Sequence, residues 1–182
     1  MVRKGHAKYM TREMPNDGVN FFPTHPTAIG QLLALEEFPN HILEPCCGDG
    51  AISRVLKLAG YRVDSYDLHD HGYGSSGRDF LTYKYKPVSA IITNPPFARN
   101  LVEQFIRRAL ELAAEKVAIF VRLVWIGAAA KRRRLMRELK PNRIIICGRV
   151  PMGPKQRGMV DYCWLIWDKK ARYKSTQVIW AE

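Results

Sequence analysis

Asn94-Pro95-Pro96-Phe97 closes an apolar run, Ala90-Ile91-Ile92-Thr93. Two consecutive prolines hold the backbone and remove two donors, leaving the carbonyls of Asn94 and Pro95 free to accept. A side-chain amide oxygen and a backbone carbonyl, held rigidly together, can take both hydrogens of a planar NH₂ group. Phe97 then offers an aromatic face to the ring carrying that group. The lone pair of such an amine is delocalised, which makes it a poor nucleophile. Accepting from both N–H bonds favours a tetrahedral nitrogen and stabilises the positive charge that builds during attack. What remains is to hold two reactants in line. Such chemistry needs no conventional base and no metal, and no His/Cys/Asp cluster suggests one.

A second group lies upstream, in Leu43-Glu44-Pro45-Cys46-Cys47-Gly48-Asp49-Gly50-Ala51. Gly48 and Gly50 remove side chains where a ligand would approach the backbone, and the helix after them presents free N–H groups. Taken alone, this pattern fits a tight turn as well as it fits a nucleotide-like ligand. Asp67 follows Gly50 by seventeen positions, near the place of the ribose-binding acid of dinucleotide folds. Asp64 competes for that role from mid-strand.

The elements that must position these groups can be read from periodicity. Thr24 or Thr27 is expected to cap a helix whose stripe is Ile29, Leu32, Leu33 and Leu35. Strands are expected over 41–45, 61–68, 88–93, 117–125, 143–147 and 162–167, with an edge strand over 176–180. Helices are expected over 51–59, 101–114 and 128–139, and loops over 69–78 and 148–160. Apolar strands alternating with helices imply an α/β fold with a mostly parallel twisted sheet covered on both faces. No helix separates the last two core strands, so a C-terminal antiparallel hairpin is expected. Residues 1–20 read as a basic arm, and 21–182 as a single domain without a separate target-recognition domain.

Twenty-nine Lys and Arg stand against seventeen Asp and Glu, a net charge of +12. That excess favours a polyanionic partner, most often nucleic acid. Lys131, Arg132, Arg133, Arg134, Arg137, Lys140 and Arg143 crowd one stretch, and Arg149, Lys155 and Arg157 follow in a Gly/Pro-rich loop. A solvated helix face would carry the same charges. In this context they are expected to meet phosphates, with Lys131, Arg132, Arg133, Arg134, Arg149, Lys155 and Arg157 as the contacts. Tyr9, Tyr73, Trp125 and Met152 are candidates to flank an extruded base. The four cysteines have no metal or redox spacing. The most apolar stretch, residues 117–130, is broken by Arg122 and is too short to span a bilayer. A cytoplasmic protein with no membrane partner is the expectation.

Taken together, Phe22-Pro23-Thr24-His25-Pro26, Glu44-Pro45-Cys46-Cys47-Gly48-Asp49-Gly50, Asp67, Asp79-Phe80-Leu81 and Asn94-Pro95-Pro96-Phe97 resemble the class I S-adenosylmethionine-dependent amino-methyltransferases, in the motif order of the adenine-N6 type. Arg149-Val150-Pro151-Met152 and Asp161-Tyr162-Cys163-Trp164 are similar to small phage and prophage DNA methyltransferases. The resemblance implies a Rossmann-like fold and S-adenosyl-L-methionine as cofactor. Phe22 and Thr24 would help seat its methionine end, and Glu44, Pro45, Cys46, Gly48 and Gly50 would form the loop around it. Asp67 would bind the ribose hydroxyls, Asp79 the adenine amine, and Phe80 would lie along the ring. Asn94, Pro95, Pro96 and Phe97 would carry catalysis, with Asn94 also bordering the cofactor. The segment between Asp67 and Asp79 is too short and Gly-rich for the family's usual helix. The implied reaction is methylation of adenine N6 in DNA, with low sequence specificity. Cytosine N4, amino groups of RNA, a protein glutamine N5, or a binding module without turnover are the alternatives.

Overall fold

The computed structural model describes residues 22–98, 100–127, 129–151, 160–172 and 175–182. Its frame follows from the alternation of apolar residues along the central strands. In chain order the elements are α1 (Pro26–Leu35), β1 (His41–Glu44), α2 (Ala51–Leu58), β2 (Arg62–Ser65), β3 (Val88–Thr93) and α3 (Leu101–Leu112). β4 (Ala113–Arg122), α4 (Leu123–Gly127), α5 (Ala130–Leu139), β5 (Arg143–Arg149), β6 (Asp161–Asp168) and β7 (Gln177–Trp180) follow. Ile42, Ala90, Ile92, Ala118, Phe120 and Trp164 face one layer, where α1 and α2 cover them. Leu43, Ile91, Val117, Ile119, Cys163 and Leu165 face the other, under α3, α4 and α5. Strands buried on both faces read as unbroken apolar runs, as β3, β4 and β6 do.

The seven strands form one sheet in the order β2-β1-β3-β4-β6-β5-β7. β6 runs antiparallel to both β4 and β5, and every other pairing is parallel. The expected mixed sheet and closing hairpin are therefore present, with β7 added along β5 as the parallel edge. Connections leave β1 toward β2 on one side, while β3 lies on the other. The crevice beyond the carboxyl ends of β1 and β3 is thus the switch point, where open α/β sheets bind ligands.

Several boundaries differ from expectation for identifiable reasons. His25, not Thr24 or Thr27, caps α1, its Nδ1 accepting from Thr27 N at 3.3 Å. Thr24 is unavailable because its hydroxyl is bonded elsewhere, as described below. Leu35 ends the helix 41% exposed, off the apolar stripe. α3 stops at Leu112 and β4 begins at once, since Ala113 pairs with Val88 of β3. β4 ends at Arg122, and the apolar run continues as a short helix that buries Trp125. Residues 67–79 form hydrogen-bonded turns, with one parallel bridge between Tyr66 and Ser75, and no helix. The basic arm, Tyr9, Met152, Lys155 and Arg157 lie outside the described residues.

Two side chains staple the helical layers to the sheet: Trp164 Nε1 donates to Ala28 O at 2.8 Å and Trp167 Nε1 to Leu139 O at 2.9 Å. A buried ionic cluster secures the far end of α1. Glu36 accepts from Lys116 Nζ at 3.1 Å and from Arg143 Nη2 at 2.6 Å, and Asp168 stands 3.3 Å from Lys116. Removing one member of a buried cluster leaves uncompensated charge. Glu36→Ala should cost about 3–5 kcal/mol. Urea unfolding checks this, with a lower midpoint expected at an unchanged slope.

Candidate active site

β1 delivers Glu44 and β3 delivers Asn94 to neighbouring points on one edge of the sheet. Between them opens a cleft of about 360 Å³, within the range of small-molecule sites, roughly 300–1,000 Å³. Its walls include the segment Phe22–Thr24, the loop Pro45–Asp49, Asp67, Asp79, Phe80 and the tetrapeptide Asn94–Phe97. Every expected cofactor residue but one is therefore brought to a single cavity.

The exception is Gly50. Its φ of 85° is left-handed, and a Cβ placed on it would lie 2.6 Å from the Tyr73 ring. The close approach seen at this glycine is that of the Tyr73 ring, and Gly50 does not line the cavity. Tyr73 is itself held from outside, with Lys57 Nζ donating to its hydroxyl at 3.0 Å and Arg54 lying 4.6 Å over the ring. It is thus part of the loop's frame and not a platform for a base. Gly48, at φ 52°, does line the cavity.

Asp67 ties the loop across the cleft. Its Oδ2 accepts from Gly48 N at 2.8 Å and its Oδ1 from His69 N at 2.9 Å. A carboxylate offers about four lone-pair sites, so two bonds leave capacity for a ligand hydroxyl. Asp64 is resolved as the structural acid, paired with His41 Nε2 at 2.8 Å on the edge strand. Asp79 Oδ1 accepts from Leu81 N at 2.9 Å, and Phe80 is buried against Phe105, centroids 5.0 Å apart. Arg78, which the motifs do not flag, lies over the Tyr66 ring at 3.8 Å and also lines the cavity.

Glu44 is fully buried, and Ser53 Oγ donates to it. Burial pushes its carboxyl well above the usual Glu range, against the opposing hydrogen bond from Ser53. Burial likewise raises the Cys46 thiol, and that of Cys47 to about 12. Both are neutral and unreactive near pH 7.

Asn94 carries the most informative geometry. Its Nδ2 donates to Phe22 O at 3.1 Å and to Thr24 Oγ1 at 3.0 Å. Its Oδ1 is buried and meets no donor among the described residues. Both amide hydrogens are thereby spent on the segment before α1, which fixes the flip of the amide. The oxygen left over is an unsatisfied acceptor, a state that normally costs about 1–3 kcal/mol. Thr24, 3% exposed, thus acts on Asn94 in this structure. Phe97 packs between Phe22 and Tyr162, with centroids at 6.4 and 6.3 Å.

Solved structures with this arrangement of elements are numerous. A chain from Listeria monocytogenes, described as class I S-adenosylmethionine-dependent methyltransferase, superposes with a TM-score of 0.58 at 13% identity, over 84% of this chain and 62% of that one. The type I restriction-modification methyltransferase subunit from Streptococcus thermophilus gives 0.60 at 10% identity, over 87% and 47%. The 23S rRNA methyltransferase ErmE gives 0.58 at 17% identity, over 83% and 70%. The chain thus spans less than two thirds of the first two. No protein-family model matches it, and no curated protein matches it in sequence.

This is the class I methyltransferase fold. The segment between Asp67 and Asp79 carries turns and no helix, as its short, Gly-rich sequence implied. Asp67 N and Ser75 N bond to Ser75 O and Ser65 O, both at 3.0 Å, and hold those turns against the sheet. Gly74 passes so close that a Cβ would meet Ser65 O at 2.6 Å.

The expected phosphate contacts are divided. The first turn of α5 lies beside the first turn of α3, joined by Lys131 to Glu103 at 3.1 Å. Arg132 lies 5.6 Å over Trp125, and Arg133 Nη1 donates to Gly127 O at 2.9 Å. Arg134 and Arg149 are exposed. Trp125 is buried beneath α5 and so does not flank a base. Among the described residues no group of His, Cys, Asp or Glu could hold a metal, and no helix is long and apolar enough to cross a membrane.

Two outcomes follow from the loop. Alanine at a left-handed position costs about 1–2 kcal/mol, and the Tyr73 collision adds to it. Gly50→Ala should therefore lower stability by more than Gly50→Ala does in a Tyr73→Ala background, in a double-mutant cycle of thermal midpoints. A carboxyl raised by folding contributes stability when protonated, present below its unfolded value and lost as pH rises through its folded one. Glu44→Gln should accordingly gain on wild type as pH climbs above the ordinary value of 4.5. Urea midpoints from about pH 4 to 8 check this.

Proposed function

We propose that this chain transfers a methyl group from S-adenosylmethionine to the exocyclic N6 amine of adenine in DNA, in a short or degenerate sequence context. The observation that carries the reading is Asn94, a residue lining a ligand-sized cleft whose amide nitrogen is fully committed and whose buried oxygen meets no donor among the described residues. An acceptor prepared in advance at this depth suits a substrate that brings N–H bonds. When bound, the cofactor supplies an electrophilic methyl group.

The chain's own residues would do the rest. Asn94 Oδ1 and the Pro95 carbonyl accept from the amine, bias it toward a tetrahedral nitrogen, and stabilise the charge that develops there. Neither oxygen reorganises during reaction, because Thr24 and Phe22 hold the amide and the prolines hold the backbone. Asp67 would accept from ribose hydroxyls and Asp79 from the cofactor's adenine amine, with Phe80 forming the apolar wall. Pro45, Cys46 and Gly48 bring the loop close, and the neutral Cys46 adds no charge that would repel an anion. Lys131, Arg132, Arg133, Arg134 and Arg149 would meet phosphates. Such contacts give affinity without reading bases, which supports a relaxed context.

RNA is the second reading, favoured by the likeness to an rRNA methyltransferase. Incubation with labelled cofactor and DNA or RNA, then digestion to nucleosides, separates the two. Label in N6-methyladenine from DNA is expected, and its absence with an active enzyme refutes the assignment. Asn94→Ala should lower kcat by roughly 10²–10³-fold, the loss typical of one charge-stabilising contact. Thr24→Val, which frees the amide to rotate, should lower kcat by a smaller factor with cofactor affinity nearly intact.

A further inference from the structure

Arg122 ends β4 directly beside the strand that delivers Asn94. Its guanidinium lies 5.1 Å over the Phe97 ring, a cation–π contact that fixes both groups. Across the sheet it stands opposite Tyr162 in the β4–β6 register. Burial raises the Tyr162 hydroxyl above its ordinary value, and the Arg122 charge and a hydrogen bond to it oppose that shift. Arg122 Nε is buried and meets no acceptor among the described residues. A half-buried guanidinium held on a ring, with its Nε one bond short, can take an acceptor from a bound partner.

Phe22 and Phe97 line the cofactor-sized cleft, whereas Arg122 and Tyr162 do not. Arg122 therefore borders the site only through Phe97, whose ring lines the cleft and carries the guanidinium over it. α4 follows Arg122 immediately and carries Trp125 under Arg132, and Arg133 holds the end of α4. Arg149 stands at the same sheet end, opposite Asp161 on the other side of β6. Glu103, the nearby acid, already serves Lys131 and Arg107.

The geometry points to Arg122 as a substrate-binding residue that takes the phosphate adjoining the nucleotide to be methylated. This rests on the nucleic-acid reading of the site. It adds that the innermost phosphate contact comes from β4 and not from the basic helix. Arginine suits the place because its planar fork meets two phosphate oxygens while its face stays on the ring.

The test uses the full chain and a short single-stranded oligonucleotide with one adenine, titrated over a series of NaCl concentrations. Arg122→Met keeps the stem and removes the fork. It should bind cofactor as wild type does but weaken oligonucleotide binding about tenfold or more, with a salt slope shallower by about 0.7, one phosphate contact on a single strand. A methylphosphonate beside the target adenine should cost wild type the same factor and cost Arg122→Met nothing further. Arg122→Lys should retain part of the affinity. Unchanged affinity and slope in Arg122→Met, while wild type methylates adenine, overturns the inference alone. Wild type that labels no nucleic acid overturns the functional reading and the inference with it. If Arg122→Met fails to bind cofactor, the methylphosphonate scan of wild type decides: a scan with no sensitive position beside the adenine overturns the proposal.

Discussion

The amide of Asn94 is anchored to a segment seventy residues away in sequence, and much of the site depends on that bond pair. Phe22 O and Thr24 Oγ1 take both of its hydrogens, which joins the stretch before α1 to the end of β3. The prolines after Asn94 prevent the backbone from offering an alternative donor. An amide held on one side only would rotate and satisfy its oxygen locally. Held by both acceptors, it keeps that oxygen buried and open, a cost that a binding site can bear when a ligand repays it.

The placement of Phe22 and Thr24 depends in turn on how α1 is held. Trp164 pins the first turn of the helix from the sheet, and Glu36 ties its end to Lys116 and Arg143 at the opposite edge. His25 and Pro26 start the helix, which leaves Thr24 free to turn toward Asn94. The buried oxygen of Asn94 is thus positioned by a chain of contacts that runs the length of α1 and closes on the central strands.

The loop after β1 is built on a different constraint. Gly48 and Gly50 adopt left-handed backbone, and the turn between them is braced from both directions. Asp67 accepts from Gly48 N, and the Tyr73 ring packs against Gly50. Tyr73 can do so because residues 67–79 fold back as turns against the sheet.

Alternating apolar strands and helices were enough to determine the doubly covered sheet, the antiparallel closing strand and the switch-point location of the motifs, because burial on two faces leaves a pattern in any strand that experiences it. The residue types of Asn94-Pro95-Pro96-Phe97 likewise stated their own chemistry, since prolines act locally. Element ends were less legible: Thr24 looks like a helix cap until a partner seventy positions away claims its hydroxyl. Gly50 gives no sign in sequence that the Tyr73 ring packs directly against it. Trp125 looks like a stacking platform until α5 covers it. Arg122 left only a faint sign, a lone charge at the end of an apolar strand. Its meaning depends on which ring it covers and which of its nitrogens goes unpaired. Those contacts join residues distant in the chain, and only tertiary packing could decide them, because no local preference carries information about a partner that folding alone brings near.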